Sequence, residues 1–502
     1  VVAVARHGVG VRLSADALAA IAASRARVDA LAAVAEGVYG VSTGFGALAT
    51  RGIPASERAR LQRSLIRSHA AGNGPLVEDE VVRGLMLLRI ATLAKGHSGV
   101  RTATVEAYAA LLNSGLVPVV HEYGSLGCSG DLAPLAHCAL VLMGEGEVLD
   151  AGCRRPAAEA LADRALEPVE LAEKEGLALI NGTDGMLAQL VLALADLELL
   201  LDTADLAAAL SVEGQLGTDR TFAADLMALR PQVGQAISAA NLRRFLAGSP
   251  IVASHRVGDG VVQDAYSLRC SPQVHGSVRD AVDFAVTIAE RELASAIDNP
   301  SVLPDGRVES HGNFHGAPIA HVLDFLAIGI ADLANLSERR TDRFLDANRS
   351  RGLSPFLADD PGIDSGLMIA QYTQAGICSK LKQLATPASV DSIPSSALQE
   401  DHVSMGWNAA RKLRVSVDGL ARVLAIEILT AARGIDLRAP LRPGPATGAA
   451  IADLRERVPG PGPDRFLAPE IEAAYDLVRS GVLVAAAEPS GTGTSVHRRT
   501  ER

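Results

Sequence analysis

The sequence predicts a mainly α fold: a long central helical bundle with a smaller α+β head at its N-terminal end. Three observations predict it. Of the 502 residues 48% are hydrophobic but only 3% aromatic, a mix carried by Ala and Leu, which enter helices at little cost, whereas strands favour β-branched and aromatic residues. Four long runs, 187–210, 282–296, 317–340 and 413–432, carry apolar residues nearly all round, the pattern of helices buried among other helices or subunits. The first third instead alternates shorter helical patterns with glycine-rich loops and brief extended stretches.

The elements follow in order. Ser14 is placed to cap a helix whose apolar positions Leu18, Ile21, Val28, Leu31 and Val34 keep helical spacing, with Gly37 to end it. The stretch from Tyr39 to Gly46 sets three glycines around two aromatics and cannot be a helix interior. Helices are predicted over 56–68 and 81–95, the second closed by Gly96, then an extended segment at 116–120 and a second glycine-rich loop from Gly124 to Gly130. A short strand at 147–149 precedes a turn at Ala151-Gly152. The head is read as 1–180, the bundle and C-terminal helices as 181–487, and the Ser/Gly/Thr/Arg-rich 488–502 as a poorly packed tail. No linker separates them, so the chain is expected to function as one unit.

Charge and cysteine usage exclude several classes. Lys and Arg number 47 against 58 Asp and Glu, a net charge of 47 − 58 = −11, which repels a polyanion, so no nucleic-acid partner is expected. Five scattered cysteines make neither a disulfide framework nor a C-x-x-C zinc pair, and suit reduced thiols in the cytoplasm. The N-terminus lacks the basic and apolar regions of a signal peptide. No membrane partner is expected either: the best apolar candidate, 186–201, is interrupted by Gln189, Asp196 and Glu198.

The loop Gly124-Ser125-Leu126-Gly127-Cys128-Ser129-Gly130-Asp131-Leu132-Ala133-Pro134-Leu135-Ala136-His137 is the most informative stretch. It lacks the Lys-Ser/Thr end of a phosphate loop, its glycines do not fall in a dinucleotide fingerprint, and Asp131 replaces the last glycine of a nucleophile elbow. One reading is a tight turn followed by a helix that starts at Asp131. The other is chemical. If the amide nitrogen of Gly130 attacks the carbonyl carbon of Cys128, a five-membered ring closes, and loss of water, including the Ser129 hydroxyl, leaves an exocyclic methylidene. Glycine suits the attacking position because no Cβ blocks the approach. A helix beginning near Asp131 would aim its positive end at the ring and deepen its electron demand.

That loop resembles the cofactor motif of the aromatic amino acid ammonia-lyases, and the resemblance runs over essentially the whole chain. Tyr39-Gly-x-x-Thr-Gly-Phe-Gly resembles the family's catalytic tyrosine loop, and Asn181-Gly182-Thr183 and Gln263-Asp264-x-Tyr266-Ser267-x-Arg269 resemble the motifs that hold the prosthetic group and substrate carboxylate. Phe314, in Gly312-Asn313-Phe314-His315-Gly316, matches an active-site aromatic. The resemblance implies an aspartase/fumarase-like bundle and a 4-methylidene-imidazol-5-one formed from Cys128, Ser129 and Gly130, with no metal and no nucleotide. It also implies a homotetramer whose active sites are shared between subunits. Ser68-His69 and Gln399-Glu400 resemble the members acting on histidine, which implies conversion of L-histidine to trans-urocanate and ammonia. The alternatives are a phenylalanine or tyrosine lyase or an aminomutase of the same family and, more distantly, an inactive helical assembly protein.

In that scheme Ser129 supplies the methylidene carbon, and Tyr39 and Glu400 are both candidates for the base that takes the β-proton. Glu400 and His69 are expected to bind the imidazole, Arg269 to clamp the carboxylate, Asn181 and Tyr266 to orient the prosthetic group and substrate, and Gln263 and Phe314 to line the site. Only the backbone of Cys128, where many members have Ala, enters the ring. A metal site is not expected: His311 and His315 are four apart, but Gly312-Asn313 between them is poor helix and no H-E-x-x-H exists. His137 reads as a structural histidine and Asp298-Asn299-Pro300 as a turn.

Overall fold

The structure is a computed structural model that describes residues 1–33, 42–44 and 51–488. Tyr39, Gly37 and the tail beyond Glu488 lie outside the described residues; Glu488 itself ion-pairs with Arg244. The fold is mainly helical, as the composition predicts, with short strands gathered in the N-terminal third and around 301–309.

Ser14 caps the helix Ala15–Ala32, its hydroxyl accepting from the amide of Ala17 at 3.1 Å. That helix reaches its C-cap at Ala33, short of the predicted Gly37. The pattern at 56–68 resolves into a 3-10 turn, Ala55–Glu57, and the helix Arg58–His69. The helix Asp79–Ala94 ends before Gly96, whose φ of +72° and position 2.6 Å (for a built Cβ) from the carbonyl of Ala20 exclude any side chain. Each of the four long runs coincides with a long helix, Asp184–Gly214, Ser271–Ala294, Ala317–Leu345 and Gly406–Asp436, though the second helix stops at Ala294, two residues short of the predicted end at 296. The second begins well before its predicted start because Pro272 falls in the first turn, where a missing N–H costs nothing. Thr102–Asn113, Val233–Phe245, Met368–Leu384, Pro445–Arg455 and Ala468–Ser480 are helices that periodicity did not single out.

Two compact units are present, each assembled from three separated segments. The first comprises Val1–Ala193, Ala285–Asp324 and Pro387–Leu413; the second comprises Leu194–Phe284, Phe325–Thr386 and Arg414–Arg502. The four long helices each contribute residues to both. The first unit holds the strands. Val117–Pro118, Glu147–Asp150 and Cys153–Pro156 form a three-stranded antiparallel sheet, with Val117 opposite Leu149 and Asp150 opposite Cys153. Asn73–Leu76 pairs antiparallel with His121–Tyr123, which brings the residues after His69 beside those entering the Gly124 loop. The core of this unit includes Leu85, Met86, Tyr108, Leu135, Ile180 and the single tryptophan, Trp407.

The second unit is a helical bundle around buried charges. Arg340 and Glu427 are both fully buried and ion-paired, and the carboxylate also accepts from Ser211 Oγ at 2.7 Å and Ser337 Oγ. His275 and Arg279 reach Asp205 at 2.8 and 2.7 Å. Gly214 and Gly434 leave room for the ring of Phe344, which a Cβ at either would approach within 2.7 and 2.5 Å.

Apolarity has one further consequence. Among the described residues Ala317–Leu345, not the 186–201 stretch, has the length and hydropathy of a membrane span. It is a core helix: most of that window is buried, and its Asp324, 3% exposed, ion-pairs with Lys412 at 2.7 Å.

Candidate active site

The Gly124–Gly130 loop lies in the first unit and is shaped by the absence of side chains. Gly127 and Gly130 take φ of +66° and +75°, left-handed values that suit glycine. A Cβ on Gly130 would lie 1.9 Å from the carbonyl oxygen of Gly182, and the next amide, Asp131 N, donates to that same oxygen at 2.7 Å. The helix Leu132–Leu142 follows with Asp131 at its N-cap, where the sequence places the helix start, although the Asp131 side chain makes no capping hydrogen bond. Fully buried, it accepts from Ser125 Oγ at 2.9 Å and from the amide of Met186, in the first turn of Asp184–Gly214, at 2.7 Å.

The Asn181-Gly182-Thr183 motif is held by buried groups. Arg89, fully buried, donates to the carbonyls of Ala178 and Asn181 at 3.0 and 2.7 Å and ion-pairs with Asp184 at 2.8 Å. Gly182 is glycine because a Cβ there would meet the Arg89 guanidinium at 2.3 Å. Asn181 donates from Nδ2 to the carbonyl of Asn299 at 2.8 Å, while its buried Oδ1 has no hydrogen-bond donor among the described residues. Asn299 neighbours Asp298, which forms a fully buried ion pair with Lys174 at 2.6 Å; the predicted turn is thus an anchored one.

Glu400 reaches the loop. Its Oε1 accepts from Ser129 Oγ at 3.4 Å and its Oε2 from Ser395 Oγ at 2.9 Å. The backbones of Ser395 and Glu400 exchange hydrogen bonds, and the intervening Ser396, Ala397 and Leu398 all take positive φ, a tight left-handed turn that presents the carboxylate. Burial, with the Glu400 charge second, pushes the Cys128 thiol up to about 12, so it stays protonated. His69 ends the helix Arg58–His69 and is half-buried; its Nδ1 lies 2.9 Å from the Leu65 carbonyl and 3.0 Å from Ser68 Oγ. Phe314, also half-buried, sits in a turn closed by His315 N to Gly312 O at 3.0 Å, and the His315 ring stacks parallel to His402 with centroids 5.6 Å apart. His137 is a satisfied structural histidine: its Nε2 accepts from the amide of Gly72 at 3.1 Å, and burial lowers it to about 4.

The structure therefore brings Ser129, Glu400, Asn181, His69 and Phe314 into one unit. Gln263, Tyr266 and Arg269 belong to the other. There Arg269 Nε donates to the carbonyl of Asp264 at 2.9 Å, and its guanidinium lies 4.6 Å from the centre of the Tyr266 ring. Gln263 is exposed and Tyr266 is 70% exposed. Sequence reasoning missed Arg89, Lys174 and Asp184: a buried Arg or Lys looks like any surface cation until its partner is found across the fold.

One observation fits a ring closed on Cys128–Gly130: the Gly130–Gly182 approach admits only a residue without Cβ. The buried Asn181 Oδ1 is an acceptor that needs a donor, which a substrate can bring and the closed ring, with no N–H or O–H, cannot. Among the described residues no three His, Cys, Asp or Glu side chains gather as metal ligands would.

Burial of Asp131 has a measurable effect. It raises the carboxyl from 3.8 to about 7, against the hydrogen bonds from Met186 N and Ser125. A folded-state value above the unfolded one means that stability is fully present below about pH 4 and is lost as pH rises through about 7. Thermal unfolding followed by circular dichroism should show the midpoint falling over that window in the wild type, and Asp131→Asn should lack this component of the slope.

Comparison with known proteins agrees with this geometry. The pattern of the family described as "Aromatic amino acid lyase" matches residues 1–456. A histidine ammonia-lyase of Streptomyces griseus is 64% identical over 493 residues, covering 97% of this chain and 96% of that protein. The crystal structure of histidine ammonia-lyase from Trypanosoma cruzi superposes with a TM-score of 0.89 at 40% identity, over 97% of this chain and 93% of that one. A tyrosine aminomutase from Streptomyces globisporus gives 0.91 at 37% identity, over 96% and 95%. With a family match over most of its length and a relative this similar end to end, the chain belongs to the aromatic amino acid lyase family.

Proposed function

We propose that this chain is a carbon–nitrogen lyase that converts L-histidine to trans-urocanate and ammonia without oxidation. The observation that carries this reading is the approach of the Glu400 carboxylate to the Ser129 hydroxyl at 3.4 Å, beside a glycine with no room for a side chain. Cys128, Ser129 and Gly130 would hold a methylidene-imidazolone, which supplies an electrophilic carbon that no ordinary side chain offers. The remaining work falls to the chain's own residues. Glu400 accepts the imidazole N–H, and His69 hydrogen-bonds a second polar edge of the ring. Arg269 binds the substrate carboxylate bidentately, and Tyr266, Gln263 and Phe314 line the site. Asn181 Oδ1 takes a donor from the substrate. Tyr39, outside the described residues, or Glu400 removes the β-proton.

A phenylalanine or tyrosine lyase or an aminomutase fits less well. A benzyl ring would leave Glu400 and His69 without partners, at about 1–3 kcal/mol each and more for the charge. Five free thiols suit the cytoplasm.

The assembly belongs to the proposal. The second unit exposes Leu229, Val233, Val262, Phe284, Phe325 and Tyr372, among others, each by half or more. So much bared apolar surface suits burial against further copies, and a homotetramer with active sites completed by more than one subunit accounts for the exposure of Tyr266.

Three measurements test the reading. Ser129→Ala should abolish urocanate formation while preserving fold and oligomer, because alanine has no hydroxyl to eliminate; substantial residual activity in the pure variant would sink the assignment. Glu400→Gln should lower kcat/KM for histidine by at least ~2 kcal/mol, as expected for loss of a charged hydrogen bond; an unchanged value means that Glu400 does not touch the imidazole. Sedimentation should show a tetramer, and a stable, fully active monomer would refute the shared site.

A further inference from the structure

Both ends of the Cys128–Gly130 tripeptide are tied down, and the tie at the N-terminal end involves no residue that the proposed reaction uses. Ser404 Oγ, 3% exposed as a residue, donates to the carbonyl of Gly127 at 2.9 Å and accepts from the amide of Gly406 at 3.2 Å. One residue on, Met405 N donates to the carbonyl of Leu126 at 2.9 Å. Three glycines crowd this hydroxyl and the neighbouring Met186. A Cβ on Gly127 would lie 2.2 Å from Ser404 Oγ; one on Gly316 would lie 2.6 Å from Met186 Sδ and 2.9 Å from Ser404 Oγ; one on Gly406 would lie 2.7 Å from Met186 Sδ. Three segments, carrying Ser129, Phe314 and Glu400, therefore close on one buried hydroxyl and one buried thioether.

We infer that Ser404 and Met186 are positioning residues for ring closure: together they fix the peptide entering Cys128 so that the Gly130 nitrogen can reach the Cys128 carbonyl. The inference rests on the prosthetic group of the proposed function. The step itself balances without any oxidant. The Gly130 nitrogen bonds to the Cys128 carbonyl carbon, whose oxygen leaves as water with one proton each from the Gly130 and Ser129 nitrogens. A second water takes the Ser129 hydroxyl and its Cα proton. Neither residue exchanges atoms in this scheme. Ser404 holds the Gly127 peptide, Gly182 holds the amide of Asp131 at the other end, and the span between them is kept short. Attack by an amide nitrogen is intrinsically slow, so the reaction depends on such preorganisation.

The test reads ring closure as the loss of two waters in the intact mass of the denatured chain, followed over time after expression or refolding, with near-ultraviolet absorbance and thermal midpoint alongside. Ser404→Ala should close roughly tenfold more slowly, the change expected for one hydrogen bond to a buried carbonyl, and should be purified as two mass populations. Gly316→Ala should also slow closure, because its Cβ would lie 2.6 Å from Met186 Sδ and 2.9 Å from Ser404 Oγ, and Met186→Ala should slow it through loss of the thioether contact. A general loss of stability would lower the thermal midpoint, whereas a positioning defect slows closure in variants whose midpoint stays near that of the wild type. Folded Ser404→Ala that closes at the wild-type rate overturns the inference. If Ser404→Ala does not fold, Met186→Ala decides, and folded Met186→Ala that closes at the wild-type rate overturns it. Wild-type chains that keep both waters would instead overturn the prosthetic-group reading itself.

Discussion

The site depends on the contact of two glycines. The carbonyl of Gly182 sits where the side chain of Gly130 would be, and the amide of Asp131 donates to that carbonyl at 2.7 Å. This contact brings the peptide loop onto the start of the helix Asp184–Gly214 and sets where Ser129 stands. Asn181, Glu400 and the Asp131 carboxylate are then arranged around it. Were Gly130 given a side chain, the loop and the segment leading into the helix would have to part by more than a bond length, and the relation between the Cys128–Gly130 peptide and its neighbours would be lost; a side chain on Gly182 would instead displace the Arg89 guanidinium.

Buried charge holds the parts in place. Arg89 with Asp184, and Lys174 with Asp298, are ion pairs shielded from water. Burying such pairs gives little net stability, because desolvation offsets their attraction, yet removing one partner leaves an unpaired buried charge at about 3–5 kcal/mol. Their value here is geometric. Arg89 fixes the carbonyl of Asn181, and the segment that ends at Asp298 and Asn299 fixes its side-chain amide. An amide held from both directions keeps its free oxygen pointed one way. Ser404 acts by the same logic on the opposite side of the loop, with a neutral hydroxyl in place of a charge.

In the proposed function, rejection of unsuitable substrates follows from the same polarity. Glu400 is presented by a turn of three consecutive left-handed residues and His69 by a helix terminus, both backbone-fixed. A substrate ring without polar edges cannot satisfy them, and the penalty is that of stranded hydrogen-bonding groups rather than of poor shape.

The sequence by itself determined the helical class, the four long helices, the cap at Ser14 and the glycine loop, because each is a local matter of period, propensity or missing side chains. It also raised the ring chemistry proposed for Cys128-Ser129-Gly130, since the atoms that such a closure joins are neighbours in the chain. Tertiary structure decided the rest. Whether the Asp131 carboxylate starts its own helix or reaches Ser125 and Met186 depends on a segment over fifty residues away. Nothing in the local pattern around Arg89, Lys174 or Ser404 marks them, for their partners lie 95, 124 and 277 positions along the chain. Local order is written in spacing, whereas a long-range contact is set by which surfaces meet, and only the folded chain brings those surfaces together.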